Sequence, residues 1–71
     1  MPSKISPLHY IEVSLELTDH IFAEILEAEL AEIDFESFDL KGNKLNAYIQ
    51  EPLFNQLALE TICSEYEENI T

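Results

Sequence analysis

The sequence predicts an α+β fold, a two-layer sandwich in the order β-α-β-β-α, on the strength of three observations. Residues 9–17 alternate apolar with polar, as a strand with one covered face does. Two later stretches, residues 19–33 and 52–66, carry apolar residues at helical spacing. Between them, two short runs of strand-forming residues flank Lys41-Gly42-Asn43, which reads as a hairpin turn around the chain's only glycine.

Taken in order, residues 1–7 hold two prolines and two serines before any periodicity begins and read as a flexible lead-in, so the domain spans residues 8–71. In the first strand Ile11, Val13, Leu15 and Leu17 point one way, and Tyr10, Glu12, Ser14 and Glu16 the other. Thr18 or Asp19 is placed to cap a helix with Ile21, Phe22, Ile25, Leu26, Ala28, Leu30 and Ile33 on its apolar side and Glu24, Glu27 and Glu32 facing outward. Residues 35–40 and the alternating Leu45, Ala47 and Ile49 form the hairpin. Pro52 suits the first turn of a second helix, whose stripe is Leu53, Phe54, Leu57, Ala58 and Ile62 and which ends near Tyr66. The acidic end, with Glu65, Glu67 and Glu68, is expected to fray.

This order is the ferredoxin-like split βαβ pattern with its last strand missing or truncated. In the complete pattern that strand pairs with the outer edge of the first. Its absence leaves the edge open to a second copy of the chain; alternatively, Asn69, Ile70 and Thr71 begin the strand. Either way the chain is expected to be a piece of a longer one.

Composition narrows the function. At 71 residues the chain holds a single core, and 46% apolar residues with one glycine and three prolines argue for a packed domain over a disordered tail. Fifteen acidic residues against three basic ones give a net charge of −12, which repels phosphate backbones and anionic membranes and attracts a basic partner. The same charge also serves solubility. A single cysteine excludes an intrachain disulfide and fits a reducing cytoplasm, and no apolar run is long enough to span a bilayer.

No residue is assigned to catalysis, a cofactor or a metal. One glycine cannot build the glycine-rich turn that cradles a nucleotide cofactor. Carboxylates spaced along one helix, such as Glu24, Glu27, Glu29 and Glu32, do not converge as a hard cation requires. His9 and His20 lack a second ligand at metal spacing, and Cys63 sits beside the second helix's apolar stripe with no neighbouring base to make it a thiolate. The candidate site is instead the face of the sheet away from the helices, where Tyr10, Glu12, Glu16, Asn46 and Tyr48 gather. Tyrosine among small polar groups suits a protein interface, although strand propensity alone also places tyrosines there. Tyrosines on the first and third strands are also found where RNA recognition motifs stack bases. The third-strand wording KLNAYIQ lacks the basic, glycine-containing signature of that motif, and the charge opposes RNA.

The stretch EILEAELAEIDFESFDLKGNKLNAYIQ, residues 24–50, carries a family likeness. Its AEL and FESF wording followed by AYIQ resembles the opening segment of bacterial ribosomal protein L-eleven methyltransferase, a likeness extending over about residues 9–66. The resemblance implies a small recognition domain that binds a basic protein of the large ribosomal subunit. A separate domain of the parent enzyme would use S-adenosylmethionine to methylate that protein's amino groups. The chain itself would then have no activity and no cofactor. Family members commonly have glycine where this chain has Ala31 and Asp34, and Asp34 can take the left-handed conformation that ends a helix. The alternative expectation is a free-standing acidic module that regulates or dimerises.

Overall fold

The computed structural model describes residues 9–71; the expected lead-in and Leu8 lie outside them. The fold is α+β, a three-stranded antiparallel sheet with two helices, compatible with a small split βαβ arrangement. Strand β1 (Tyr10–Glu16) pairs with β3 (Lys44–Gln50), and β3 pairs with β2 (Ser37–Lys41), so the strand order is β1-β3-β2. Helices α1 (Ala23–Ala31) and α2 (Gln56–Glu65) share one core with a single face of this sheet.

The alternation in the sequence is realised in the strands. Leu45, Ala47 and Ile49 of the central strand are all 0% exposed, and they stand opposite Leu15, Val13 and Ile11 of β1. Leu15 and Leu17 are buried, and Ile11 and Val13 pack half-buried against the same cluster. The ladder runs one pair beyond each end of β1, where Leu17 N–H donates to Asn43 O and Glu51 N–H donates to His9 O. Gly42 at φ 59 opens the two-residue turn between Lys41 and Lys44. Asn43 keeps a negative φ, so the turn has the II′ form whose twist suits a hairpin.

The first helix departs from its expected phase. Residues His20–Phe22 form a 3-10 turn, capped by Asp19, whose Oδ1 accepts from Ile21 N–H at 3.1 Å. That tighter turn takes about three residues per revolution, so positions before Ala23 fall out of step with the helix that follows. Ala23, Leu26 and Leu30 are buried, whereas Ile21, Ile25 and Ala28 of the expected stripe are exposed, and Glu27, expected outward, is half-buried. The helix ends as the sequence suggested it could. Asp34 takes φ 80, Phe35 N–H donates to Leu30 O at 3.1 Å and Asp34 N–H to Ala31 O at 3.2 Å. This is a Schellman closure, completed by burial of Phe35 and Leu30 together.

The second helix starts later than Pro52. Glu51–Leu53 make a 3-10 turn, Phe54 is extended, and Asn55 caps α2 by accepting from Ala58 N–H at 3.1 Å. Asparagine is the stronger cap, and proline is satisfied in the preceding turn, where its missing donor costs nothing. The shift rotates the stripe: Leu59, Ile62, Cys63 and Tyr66 face the core, while Leu53 and Leu57 are exposed. Glu67–Asn69 form a further 3-10 turn instead of fraying, with Asn69 N–H on Tyr66 O at 2.8 Å. Beyond it Ile70 makes a single antiparallel bridge to Leu17, and Thr71 N–H reaches Glu16 O at 2.7 Å. Asn69, Ile70 and Thr71 therefore lie along the outer edge of β1, where a fourth strand would begin. The rest of that edge has no strand partner among the described residues.

Two substitutions test this packing by urea unfolding. Leu45→Ala empties the middle of the core and is expected to cost about 2–5 kcal/mol, whereas Leu57→Ser on the exposed side of α2 should stay within about 0.5 kcal/mol of the unsubstituted chain. Asp34→Gly relieves a side chain held at positive φ and is expected to stabilise by about 0.5 kcal/mol after glycine's greater unfolded-state entropy is subtracted; a loss would refute the strained helix ending.

Candidate functional site

With both helices on one side, the sheet's other side is an open, polar surface. Even-numbered residues of β1 and β3 share it because side chains alternate along a strand. In register across these strands stand Tyr10 and Gln50, Glu12 and Tyr48, Ser14 and Asn46, and Glu16 and Lys44. Strand β2 adds Ser37 beside Tyr48, Asp39 beside Asn46, and Lys41 beside Lys44. All five residues expected from sequence, Tyr10, Glu12, Glu16, Asn46 and Tyr48, lie on this surface.

Glu36 belongs there too, and the strand alternation concealed it. Ser37 is the register partner of Tyr48, yet Glu36 N–H also donates to Tyr48 O, at 3.0 Å. Two residues thus oppose one, as in a β-bulge, and the bulge resets the phase between buried Phe35 and half-buried Phe38. The three-residue spacing of those two phenylalanines is the sequence signal that could have exposed the break.

The bulge sets Glu36 where it bonds two neighbours. Tyr10 Oη donates to Glu36 Oε2 at 2.7 Å, and Gln50 Nε2 donates to Glu36 Oε1 at 3.1 Å. In the adjacent row Tyr48 Oη donates to Glu12 Oε2 at 2.8 Å, and beyond it Ser14 Oγ donates to Asn46 Oδ1 at 2.6 Å. Each tyrosine ring is therefore tethered at its hydroxyl by a carboxylate, which limits the rotamers it has to give up on binding. The carboxylates in turn hold their tyrosines protonated. The hydrogen bond to Glu36, followed by desolvation, raises the Tyr10 phenol, and the bond to Glu12, followed by desolvation, raises that of Tyr48.

Other groups with potential chemistry lie elsewhere. Cys63 is half-buried under α2, and burial, then the charge of Glu60, pushes its thiol up and away from the reactive thiolate. His20 sits in the exposed first turn, with Nδ1 3.4 Å from Asp19 Oδ1. On the helical side Tyr66 Oη donates to Glu29 Oε2 at 3.3 Å, and desolvation followed by the charge of Glu29 raises its phenol. Among the described residues no three His, Cys, Asp or Glu side chains gather as a metal would require, no pocket forms, and no helix is long and apolar enough to cross a membrane.

The arrangement defines a class of surface: a sheet face bearing carboxylates and tethered tyrosines, suited to attracting cations and accepting hydrogen bonds. No family model matches the chain, and no curated protein or solved structure matches it significantly.

The tyrosine tethers have a measurable signature. All three phenols are raised above 10.0 in the folded chain, so their contribution to stability is fully present below about pH 10 and is lost as pH rises through the folded values. Phenolate absorbance should therefore appear at higher pH in the native chain than in denaturant. Glu12→Gln should return the Tyr48 midpoint toward 10.0 and leave Tyr10 in place; coincident native and denatured curves would contradict the tethers.

Proposed function

We propose that this chain is a protein-binding domain that holds a basic protein on its open sheet face. In this reading it is the substrate-recognition part of a ribosomal-protein methyltransferase, with the chemistry supplied by a separate S-adenosylmethionine-dependent domain. The observation that carries the proposal is the open face itself, where Tyr10 and Tyr48 lie tethered between Glu12 and Glu36 on a chain of net charge −12. Exposed carboxylates steer a basic partner toward the face, and ordered aromatic rings supply contact area once it arrives. A domain of this kind needs no catalytic group, because placing the substrate beside a cofactor domain raises its effective concentration.

Asp34, standing where family members commonly carry glycine, has φ 80, the conformation glycine adopts most readily. A ribosomal substrate also implies a cytoplasmic setting. The alternative, a free-standing module that dimerises, draws on the edge of β1 from Tyr10 to Ser14, which has no strand partner among the described residues. Pairing two such chains would bring together two bodies of charge −12, so the account favours the basic partner.

Calorimetric titration with the purified basic ribosomal protein of the large subunit tests the proposal. Saturable binding that weakens steadily from low to moderate salt is expected. No binding, or binding indifferent to salt, would reject it, and sedimentation of the free chain as a dimer would favour the alternative.

A further inference from the structure

The open face is not uniformly acidic. Lys41 and Lys44 flank the hairpin turn at one end of it, with Glu16 opposite Lys44 and Asp39 Oδ2 3.8 Å from Lys41 Nζ. Two cations and two carboxylates balance there. At the other end Glu12 and Glu36 stand with Tyr10, Tyr48 and Gln50, and no lysine of the described residues accompanies them. Glu12 and Glu16, the β1 carboxylates of the two ends, lie four residues apart along the strand, a span of about 13 Å at about 3.3 Å per residue. Screening at physiological ionic strength acts over about 8 Å. A docking cation therefore senses chiefly the carboxylates of the end it approaches.

Resting on the protein-binding reading above, we infer that the face engages its partner directionally: lysine or arginine side chains on the partner's surface seat at the Tyr10–Glu12–Glu36 end, and the hairpin end makes no charge-based contribution. The tethered rings favour the same end. Each of these carboxylates accepts from a tyrosine hydroxyl, so a cation seated there has an aromatic ring beside it for its aliphatic stem to pack on. The hairpin end offers no ring, and its carboxylates already have lysines as neighbours.

Paired substitutions with identical charge change separate this local site from the general field. Glu12→Gln/Glu36→Gln and Glu16→Gln/Asp39→Asn each remove two negative charges, one pair from each end, and glutamine keeps an acceptor for each tyrosine. Binding of a lysine octapeptide at physiological salt is measured by amide chemical shifts, whose dispersion also reports that each variant is folded. The tyrosine-end pair is expected to weaken binding about five- to tenfold and the hairpin-end pair less than about twofold, in proportion to the contacts each loses. Equal weakening by both pairs would overturn the directional site and leave the protein-binding reading standing; failure of the unsubstituted chain to bind the peptide would overturn the directional site, and loss of ribosomal-protein binding as well would overturn both.

Discussion

The pairing of β1 with β3 is the constraint on which everything else in this chain depends. Its register sets Ile11, Val13 and Leu15 opposite Ile49, Ala47 and Leu45, and puts every intervening polar residue on the other side. A slip of one residue would turn the apolar set of β1 toward water and bury Glu12, Ser14 and Glu16 without partners. Because β3 lies between β1 and β2, its three fully buried side chains are the floor on which α1 rests, with α2 packed against α1 in the same core. The core and the candidate site are thus two consequences of one alternation, and a substitution that shifts the register damages both.

The polar face solves a problem that the charge creates. A chain this small has little core to spare for holding dense negative charge together. On the open face the carboxylates are turned to use, since Glu36 accepts from both Tyr10 and Gln50 and Glu12 accepts from Tyr48. These exposed bonds contribute little stability individually, but they fix the orientation of two aromatic rings that strand propensity alone would leave free to rotate. Preorganised rings and acceptors are what a binding surface requires, and they come here without any departure from regular strand geometry except the bulge at Glu36.

Much of this was legible in the sequence because the period-two pattern of β1 and β3 admits one reading. Strand membership, the hairpin at Gly42 and the shared face of Tyr10, Glu12, Glu16, Asn46 and Tyr48 all follow from alternation and turn chemistry. The helices were harder to phase. Ile21 falls out of phase because it sits in the 3-10 turn before α1, whereas Ile25 and Leu57 lie inside the helices but off the faces set by Ala23, Leu26 and Leu30 and by Leu59, Ile62, Cys63 and Tyr66. Pro52 and Asn55 both offer a helix start in the sequence, and the structure uses the proline in the 3-10 turn and the asparagine as the cap of α2. Glu36 escaped because a bulge cancels the alternation by which a face is recognised. Nothing in composition orders the charges along the face; their polarity appears only once the register sets Lys44 opposite Glu16.

The most direct measurement is the map of backbone amide and tyrosine ring resonances of the labelled chain as the basic ribosomal protein is added. The account predicts perturbations at Tyr10, Glu12, Glu36, Tyr48 and Gln50 that diminish as salt rises, with α1 and α2 unaffected on their outer sides. Perturbations centred on Ile21, Ile25 and Leu57, with the open sheet face silent, would contradict it.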